Sequence, residues 1–389
     1  MNKIKQYKII YVGGAIDHIV LPIISEFYKI YGDEFLFIST YEKPGLRVGI
    51  GYDFSNVFLP FVIKSYESKS VFKYCKKLIN KAKVVIYQNV KDRSIFRARL
   101  FSNKITFKCT ERFFKTPTTA KNFLRRVLGT IYHYHLFNKH NKYVLCMGGY
   151  VASDLRKAHL FKGKMLTWGY FTETTKLSFK ELNELKNKND IPVFCWVGRF
   201  VKEKQPLMVL RLAEFLKTKN VKFKIKMAGY GPLLNECKNY IIAKNLGDYV
   251  DLLGPLTLDK KEDLLNQSNY FLFTSTQEEG WGAVVNEAMG SACICITSRE
   301  AGSPKTLISN NKNGYLFSSS NQDELNNLVF LNLNDSDLNI SKNAYYDIQK
   351  YWNAETAVMR LSIFIENLLN KNGPIYEEFG PCSNAFNDK

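Results

Sequence analysis

The chain has 389 residues and is 46% hydrophobic, which is enough for two domains with their own cores. No run of 18 apolar residues occurs, so the sequence predicts no membrane-spanning helix. The net charge of +19 is uneven, because residues 1–180 carry 32 Lys and Arg against 11 Asp and Glu, whereas residues 181–389 carry 23 against 25. The basic half predicts an anionic partner, which leaves a nucleic acid, a membrane surface and a phosphorylated acceptor open.

The N-terminal residues, MNKIKQYKIIYVGG, lead directly into a strand pattern and lack the apolar segment and cleavage site of a signal peptide. The eight cysteines are scattered, mostly within apolar runs, and form no C-x-x-C motif. The five histidines show no metal-ligand spacing. We therefore expect a cytoplasmic protein with reduced thiols and no metal site.

Strand and helix patterns alternate through the first half of the chain, as is typical of a parallel, doubly wound sheet. The predicted strands are Lys8–Val12, Phe35–Ser39, Val84–Tyr87, Lys104–Cys109, Tyr143–Cys146 and Met165–Trp168. The predicted helices include Ile19–Tyr31, Val71–Ala82 and Thr119–Lys139. In such sheets, ligands bind at the carboxyl ends of the strands.

The last of these helices has an apolar face formed by Leu124, Val127, Leu128, Ile131 and His135. An apolar face at helical spacing predicts a helix that packs on the core. Basic residues beside it leave contact with a bilayer interface open.

A polar, lysine-rich stretch over residues 171–190 is predicted to link the two halves. A second alternating series follows it. Its predicted strands are Val193–Val197, Lys224–Ala228, Val250–Leu252, Tyr270–Phe273, Cys293–Ile296 and Tyr315–Phe317. Its predicted helices are Pro206–Lys217, Pro232–Asn245 and Leu258–Asn266, and the chain is predicted to be helical from Phe317 to about Asn370.

The loop after the first strand of this series, VGRFVKEKQP, carries two cations five residues apart, Arg199 and Lys204. Two cations on one strand-to-helix loop can neutralise a diphosphate. The next loop, MAGYGP, has Gly229 and Gly231 where the backbone would approach a nucleotide.

The stretch TSTQEEGWGAVVNEAMG follows the buried strand Tyr270–Phe273 and reads as a glycine loop that leads into a helix. Backbone amides and the positive end of a helix dipole there would bind an anion. Glu279 and Glu287 would accept hydrogen bonds from vicinal hydroxyls of a sugar or a ribose. Amides for phosphates and carboxylates for hydroxyls together describe a nucleotide-sugar site.

The segment EEGWGAVVNEAMGSA in this context resembles the E-x7-E signature of retaining glycosyltransferase family 4 (group 1), and GRFVKEK is similar to the family's G-R-x-x-x-x-K motif. The resemblance implies that Glu279 contacts the transferred sugar and Glu287 the ribose. It also implies the α/β GT-B fold, with two Rossmann-like β/α/β domains facing across a cleft. The expected division is an acceptor-side domain over 1–170, the linker over 171–190, a nucleotide-sugar domain over 191–345, and C-terminal helices and a tail over 346–389 that cross back.

The segment KITFKCTERFFK resembles an S-E-R-x-F-K stretch of the subgroup that makes bacterial surface glycans, with Thr110 in place of Ser. By position, Glu111 and Arg112 either bind substrate or form a structural pair. Gly14 and His18 follow the first strand, on a loop that in relatives faces the donor and the acceptor. That His18 only begins a helix and has no chemical role is an alternative that stays open. The expected catalytic residues are Glu279, Arg199, Lys204, Glu111 and His18. The expected donor-binding residues are Gly14, Arg112, Arg199, Lys204, Gly229, Gly231, Glu279, Gly280, Trp281, Gly282 and Glu287.

The resemblance implies transfer of a sugar from a UDP- or GDP-linked donor to a lipid-linked or growing surface glycan. We expect no metal or other cofactor, because Arg199, Lys204 and the amides of Gly280–Gly282 supply positive charge. Asp335-Ser336-Asp337 resembles the D-x-D motif of another glycosyltransferase fold but reads as helix capping. Two rivals stay open. A GT-B nucleotide-sugar epimerase would need an acid/base set that the sequence does not display, and a nucleic-acid-binding protein would need a motif that it lacks.

Overall fold

The computed structural model describes residues 5–42, 54, 57–100, 102–113, 124, 128, 141–157, 160–161, 163–333 and 338–385. The chain divides into two compact units. Unit 1 comprises Met1–Thr172 and Trp352–Lys389, and unit 2 comprises Glu173–Tyr351. Each unit has one parallel sheet with helices, which confirms the predicted α/β class.

Unit 1 has a seven-stranded parallel sheet in the order β3-β2-β1-β4-β5-β6-β7. Its strands are β1 (Ile9–Gly13), β2 (Phe35–Ser39), β3 (Val62–Lys64), β4 (Val84–Tyr87), β5 (Thr106–Thr110), β6 (Lys142–Met147) and β7 (Met165–Trp168). Its helices are α1 (Val20–Tyr31), α2 (Lys69–Lys81), α3 (Arg93–Leu100), α4 (Val151–Lys157) and, after unit 2, α13 (Ala354–Leu369). Strands β1, β2, β4, β6 and β7 are buried along their whole length, as expected for a sheet covered on both faces.

Unit 2 has a six-stranded parallel sheet in the order β10-β9-β8-β11-β12-β13. Its strands are β8 (Val193–Val197), β9 (Lys224–Ala228), β10 (Val250–Gly254), β11 (Tyr270–Phe273), β12 (Ile294–Ser298) and β13 (Tyr315–Phe317). Its helices are α5 (Phe179–Lys186), α6 (Pro206–Thr218), α7 (Leu234–Ala243), α8 (Leu258–Gln267), α9 (Val284–Gly290), α10 (Gly302–Leu307), α11 (Gln322–Asn332) and α12 (Leu338–Lys350). Because all six strands are parallel, the loops that follow them lie at one edge of the sheet.

The stretch predicted as a linker contains a folded helix. Ser178 caps α5 through a capping box with Glu181, and Leu182 is fully buried. The ammonium of Lys186, also buried, donates a hydrogen bond of 3.0 Å to the carbonyl of Leu265. The lysines that suggested a linker therefore include one that ties this helix into unit 2.

The predicted helix Thr119–Lys139 falls largely outside the described residues. Leu124 and Leu128 are described as helical, with 59% and 58% of their surface exposed. The expectation that these two side chains face the core is therefore wrong. Among the described residues, no helix is long and apolar enough to cross a membrane.

Candidate functional site

The loop after β8 is fixed to the end of the neighbouring strand β11. Thr274, directly after β11, accepts a hydrogen bond from the indole N–H of Trp196 (3.1 Å) and donates one to the carbonyl of Lys204 (2.7 Å). The loop then passes through Gln205 in the left-handed conformation (φ 48°) into Pro206, the first residue of α6. The backbone of Lys204 is thus held by a buried hydroxyl, which fixes the position of the backbone from which the Lys204 side chain extends.

The ammonium of Lys204 is ion-paired with the carboxylate of Glu279 in the loop after β11. The two side chains are 15% and 20% exposed, so the pair is largely desolvated. The ammonium also lies 5.4 Å from the ring centroid of Phe273. The structure therefore brings together two residues that the sequence analysis had placed on separate loops.

Arg199 lies on the same loop but is more exposed. Its guanidinium contacts the carboxylate of Glu203 at 3.1 Å, and 53% of its side chain is accessible. Ion pairs this exposed are weak, because water and salt screen them. Arg199 can therefore turn toward an anion at little cost.

Glu287 has a partner that the sequence analysis missed. Its carboxylate lies 2.7 Å from the ammonium of Lys261, and each side chain is only 9% exposed. Lys261 lies in α8 and Glu287 in α9, and both helices begin at the carboxyl edge of the sheet because each follows a strand. In the sequence, the one feature that could have indicated a role for Lys261 is its position in the first half of a helix that starts at this edge.

Gly229 and Gly231 follow β9 with positive φ values of 140° and 152°. A Cβ on Gly229 would lie 1.8 Å from the carbonyl oxygen of Gly198, and one on Gly231 would lie 2.5 Å from that of Phe200. The requirement for glycine is thus explained by packing against the loop after β8. The expected approach to a nucleotide is not needed to account for it.

The loop between β11 and α9 is anchored by Trp281. This side chain is fully buried, and its indole N–H donates a hydrogen bond of 2.8 Å to the side-chain oxygen of Asn286. The carbonyl of Trp281 accepts hydrogen bonds from the hydroxyl and the amide of Ser303, at 2.7 and 3.0 Å. Because the ring has no accessible surface, the donor contact predicted for Trp281 is left to its backbone and stays a prediction.

Gly280 and Gly282 are also fixed by packing. Gly302 approaches so closely that a Cβ on it would lie 1.9 Å from the carbonyl oxygen of Gly280. Gly282 has a φ of 94°, and a Cβ there would lie 2.4 Å from the ring of Phe273. These contacts hold the loop in one conformation next to Glu279. The helix that follows, α9, has only seven residues and no side-chain N-cap.

In unit 1, the loop after β1 is packed beneath Tyr41. A Cβ on Gly14 would lie 2.5 Å from the Tyr41 hydroxyl oxygen, and this hydroxyl accepts a hydrogen bond of 2.7 Å from Asn89. Asp17 accepts hydrogen bonds of 3.0 Å from the amides of Ile19 and Val20, which places half-buried His18 at the start of α1. Both predicted residues thus lie at the carboxyl edge of the sheet of unit 1.

Glu111 and Arg112 follow β5 at the same edge. The carboxylate of Glu111 accepts a hydrogen bond of 2.7 Å from the Tyr170 hydroxyl, and burial together with this carboxylate raises the pKa of Tyr170 well above its ordinary value. The guanidinium of Arg112 stacks on the ring of Tyr150 at 4.5 Å, and its Nε is 4.0 Å from Asp154. Both side chains are therefore oriented by neighbours in unit 1.

No group of three or more His, Cys, Asp or Glu side chains within the described ranges is arranged to hold a metal ion. Asp335 and Asp337 lie outside the described residues, so their predicted capping role stays a prediction.

Comparison with known proteins indicates the class of enzyme. Residues 178–347, which lie within unit 2, match the family model of glycosyl transferases group 1. EpsF of Bacillus subtilis (strain 168), provisionally named a glycosyltransferase, is 33% identical over 102 residues, which is 26% of each chain. The segment shared with this curated relative thus spans about a quarter of the relative's length.

Two solved structures are similar over nearly the whole chain. Anabaena Alr3699/HepE in complex with UDP and glucose has a TM-score of 0.63 at 13% identity, covering 94% of this chain and 99% of that one. The lipopolysaccharide outer core galactosyltransferase WaaB has a TM-score of 0.67 at 14% identity, covering 95% and 100%. The fold is therefore GT-B. The family match and these neighbours together support the conclusion that the protein is a glycosyltransferase.

Proposed function

We propose that the protein is a retaining glycosyltransferase that moves a sugar from a UDP- or GDP-linked donor to a lipid-linked or growing surface glycan. The observation that carries this proposal is the Lys204–Glu279 pair at the carboxyl edge of the unit 2 sheet, inside the glycosyl transferases group 1 match. Retention of configuration is proposed from the resemblance of the segment between Glu279 and Glu287 to E-x7-E.

The donor is assigned to unit 2. Lys204 and Arg199 neutralise the diphosphate, Glu279 binds hydroxyls of the transferred sugar and Glu287 binds the ribose. The backbones of Gly229, Gly231, Gly280 and Gly282 shape the loops around these groups. The complex of HepE with UDP and glucose supports a nucleotide-sugar donor, because HepE has a similar fold.

The reaction develops negative charge on the leaving diphosphate as the glycosidic bond breaks. Fixed cations that are already aimed at this charge lower the barrier. In our proposal the Lys204 ammonium moves from the Glu279 carboxylate to the phosphate when the donor binds. This exchange frees a Glu279 oxygen to accept a hydrogen bond from the sugar, and it makes a divalent metal unnecessary.

The acceptor is assigned to unit 1. Among the residues at the carboxyl edge of its sheet, His18 and Glu111 are proposed to be catalytic, and Gly14 and Arg112 are proposed to bind the donor. The basic first half of the chain is proposed to contact an anionic lipid-linked acceptor or the inner face of the bacterial plasma membrane. Its excess of positive charge supports this assignment, as does the likeness to WaaB, named a lipopolysaccharide outer core galactosyltransferase.

The test is a panel of UDP- and GDP-sugars incubated with a bacterial lipid fraction as acceptor. We expect release of free nucleoside diphosphate only when both donor and acceptor are present, and a product whose anomeric configuration by NMR matches that of the donor. Conversion of the donor to its epimer without release would favour the epimerase. Duplex DNA binding without any release would favour the nucleic-acid rival.

A further inference from the structure

We infer that Lys261 is a positioning residue that makes the site specific for ribonucleotides. The structure assigns it to hold one carboxylate oxygen of Glu287, so that the other oxygen accepts a hydrogen bond from the ribose 2′-hydroxyl. This inference rests on the proposed function, in which Glu287 binds the ribose. Lys261 is then the residue that orients Glu287 for this contact.

The geometry of the pair is specific. The Lys261 ammonium lies 2.7 Å from one oxygen of Glu287, which is the distance of a charge-assisted hydrogen bond. The two side chains come from packed helices, α8 and α9, on either side of β11 in the sequence. A carboxylate held at one oxygen keeps lone pairs on the other, so it can bind a hydroxyl without releasing the lysine.

Burial makes the lysine necessary. Glu287 is 9% exposed, and a carboxylate so far removed from water is unstable unless a charge and hydrogen bonds compensate it. Without Lys261, the carboxylate would turn toward solvent or lose its charge. Either change would weaken its bond to a neutral hydroxyl, because a charged acceptor binds a hydroxyl more strongly than a neutral one.

If the Lys261–Glu287 ion pair only stabilised the packing of the two helices, a different result would be expected. Its loss would then weaken binding of ribonucleotides and 2′-deoxyribonucleotides by the same factor. A positioning role changes the ratio of the two affinities. This ratio is therefore the informative measurement.

The chain offers a matched control, because Lys260 precedes Lys261 in the same helix but is exposed. Affinities of full-length wild type, Lys260→Met and Lys261→Met for UDP, 2′-deoxy-UDP, GDP and 2′-deoxy-GDP are measured by calorimetry. We expect wild type and Lys260→Met to prefer a ribonucleotide by about tenfold or more, as for one charge-assisted hydrogen bond, and Lys261→Met to lose most of this preference. A folded Lys261→Met protein with the wild-type ratio would overturn the inference.

Two further variants keep the test decisive if Lys261→Met does not fold. Lys261→Arg keeps the charge and is expected to keep the preference. The double variant Lys261→Met/Glu287→Gln removes both charges, and its ratio is expected to equal that of Glu287→Gln alone; an additional loss would overturn the inference. If wild type binds no nucleotide, the proposed function itself fails, whereas binding with an unchanged ratio contradicts only the role of Lys261.

Discussion

The ammonium of Lys204 and the carboxylate of Glu279 are bonded to each other, although 75 positions separate them in the sequence. The parallel pairing of β8 with β11 causes this contact, because it brings the loops after both strands to one edge. Neither charge is free before a ligand arrives. An anionic ligand must therefore compete with Glu279 for the lysine.

The first prediction concerns the cation of this pair. Lys204→Met should lower turnover on the order of 10²-fold, because it removes the fixed charge that is proposed to stabilise the leaving diphosphate. Lys202, which is exposed on the same loop, provides a matched control, and Lys202→Met should turn over like wild type. Steady-state release of nucleoside diphosphate measures both. Equal losses in the two variants would contradict a specific role for Lys204.

The second prediction separates the two glutamates. Glu279→Gln should depress turnover on the order of 10²-fold and yet increase affinity for free nucleoside diphosphate, because the competitor for Lys204 is gone. Glu287→Gln should instead weaken nucleotide binding by roughly 1.5–3 kcal/mol. Calorimetry with the free nucleotide and steady-state kinetics check the two parts. Weaker nucleotide binding in Glu279→Gln would contradict the exchange of partners.

The third prediction is that turnover needs no divalent metal. Excess EDTA should leave the rate unchanged, because Arg199 and Lys204 are proposed to supply the positive charge at the diphosphate. The control is the same preparation with Mg²⁺ or Mn²⁺ added back. Loss of activity in EDTA and its return with either ion would show that this account of the charge is wrong.

The fourth prediction concerns membrane contact. The full-length protein should bind vesicles that contain anionic lipid more tightly than neutral ones, because residues 1–180 carry the excess of positive charge. Raising the salt concentration from about 0.05 to about 0.3 M should weaken this binding. Vesicle co-sedimentation is the measurement. Equal binding to both kinds of vesicle at low salt would remove the membrane from the proposal.

The fifth prediction comes from a buried lysine in unit 1. Lys142 is fully buried, and its ammonium donates hydrogen bonds of 3.1 Å to the carbonyls of Arg99 and Lys104 and to the hydroxyl of Thr106. Burial, together with the nearby Arg99 guanidinium, lowers the pKa of Lys142 from 10.5 to about 7. Between these values the unfolded chain binds a proton that the folded chain lacks. The free energy of unfolding should therefore rise with pH in this window, by at most about 1.4 kcal/mol per pH unit.

The variant Lys142→Met isolates this effect. Thermal unfolding of wild type and variant is compared at about pH 7 and about pH 9.5, because other buried groups titrate equally in both proteins. The gain in stability of wild type over this interval should exceed that of Lys142→Met. An equal gain in both would contradict the assignment of the pKa to Lys142.

Strands were the most predictable part of the fold. Seven of them, Phe35–Ser39 and Val193–Val197 among them, have the predicted bounds, because strands buried on both faces appear as short apolar runs. The strand β3 (Val62–Lys64) was missed, and it differs from the predicted strands in that none of its three residues is fully buried. Helix α5 was hidden by its polar composition, since only one face of it is buried.

The parts of the candidate site that lie on loops directly after strands were predictable. Arg199, Lys204 and Glu279 follow strands of one parallel sheet, so their common edge could be inferred from the alternation of strands and helices. The Lys261–Glu287 pair could not, because it joins two helices and depends on side-chain packing. The burial of Trp281 was missed for the same reason, since a tryptophan in a glycine loop looks like a ligand contact until its neighbours are known.

The most direct test of the account is the difference in affinity between nucleoside diphosphates and monophosphates, measured by calorimetry in EDTA. If Lys204 and Arg199 hold the diphosphate, wild type and Lys202→Met should bind UDP or GDP at least about tenfold more tightly than the matching monophosphate, and Lys204→Met should lose most of this gain. Equal affinity of wild type for diphosphate and monophosphate, or the same gain in Lys204→Met, would contradict the account.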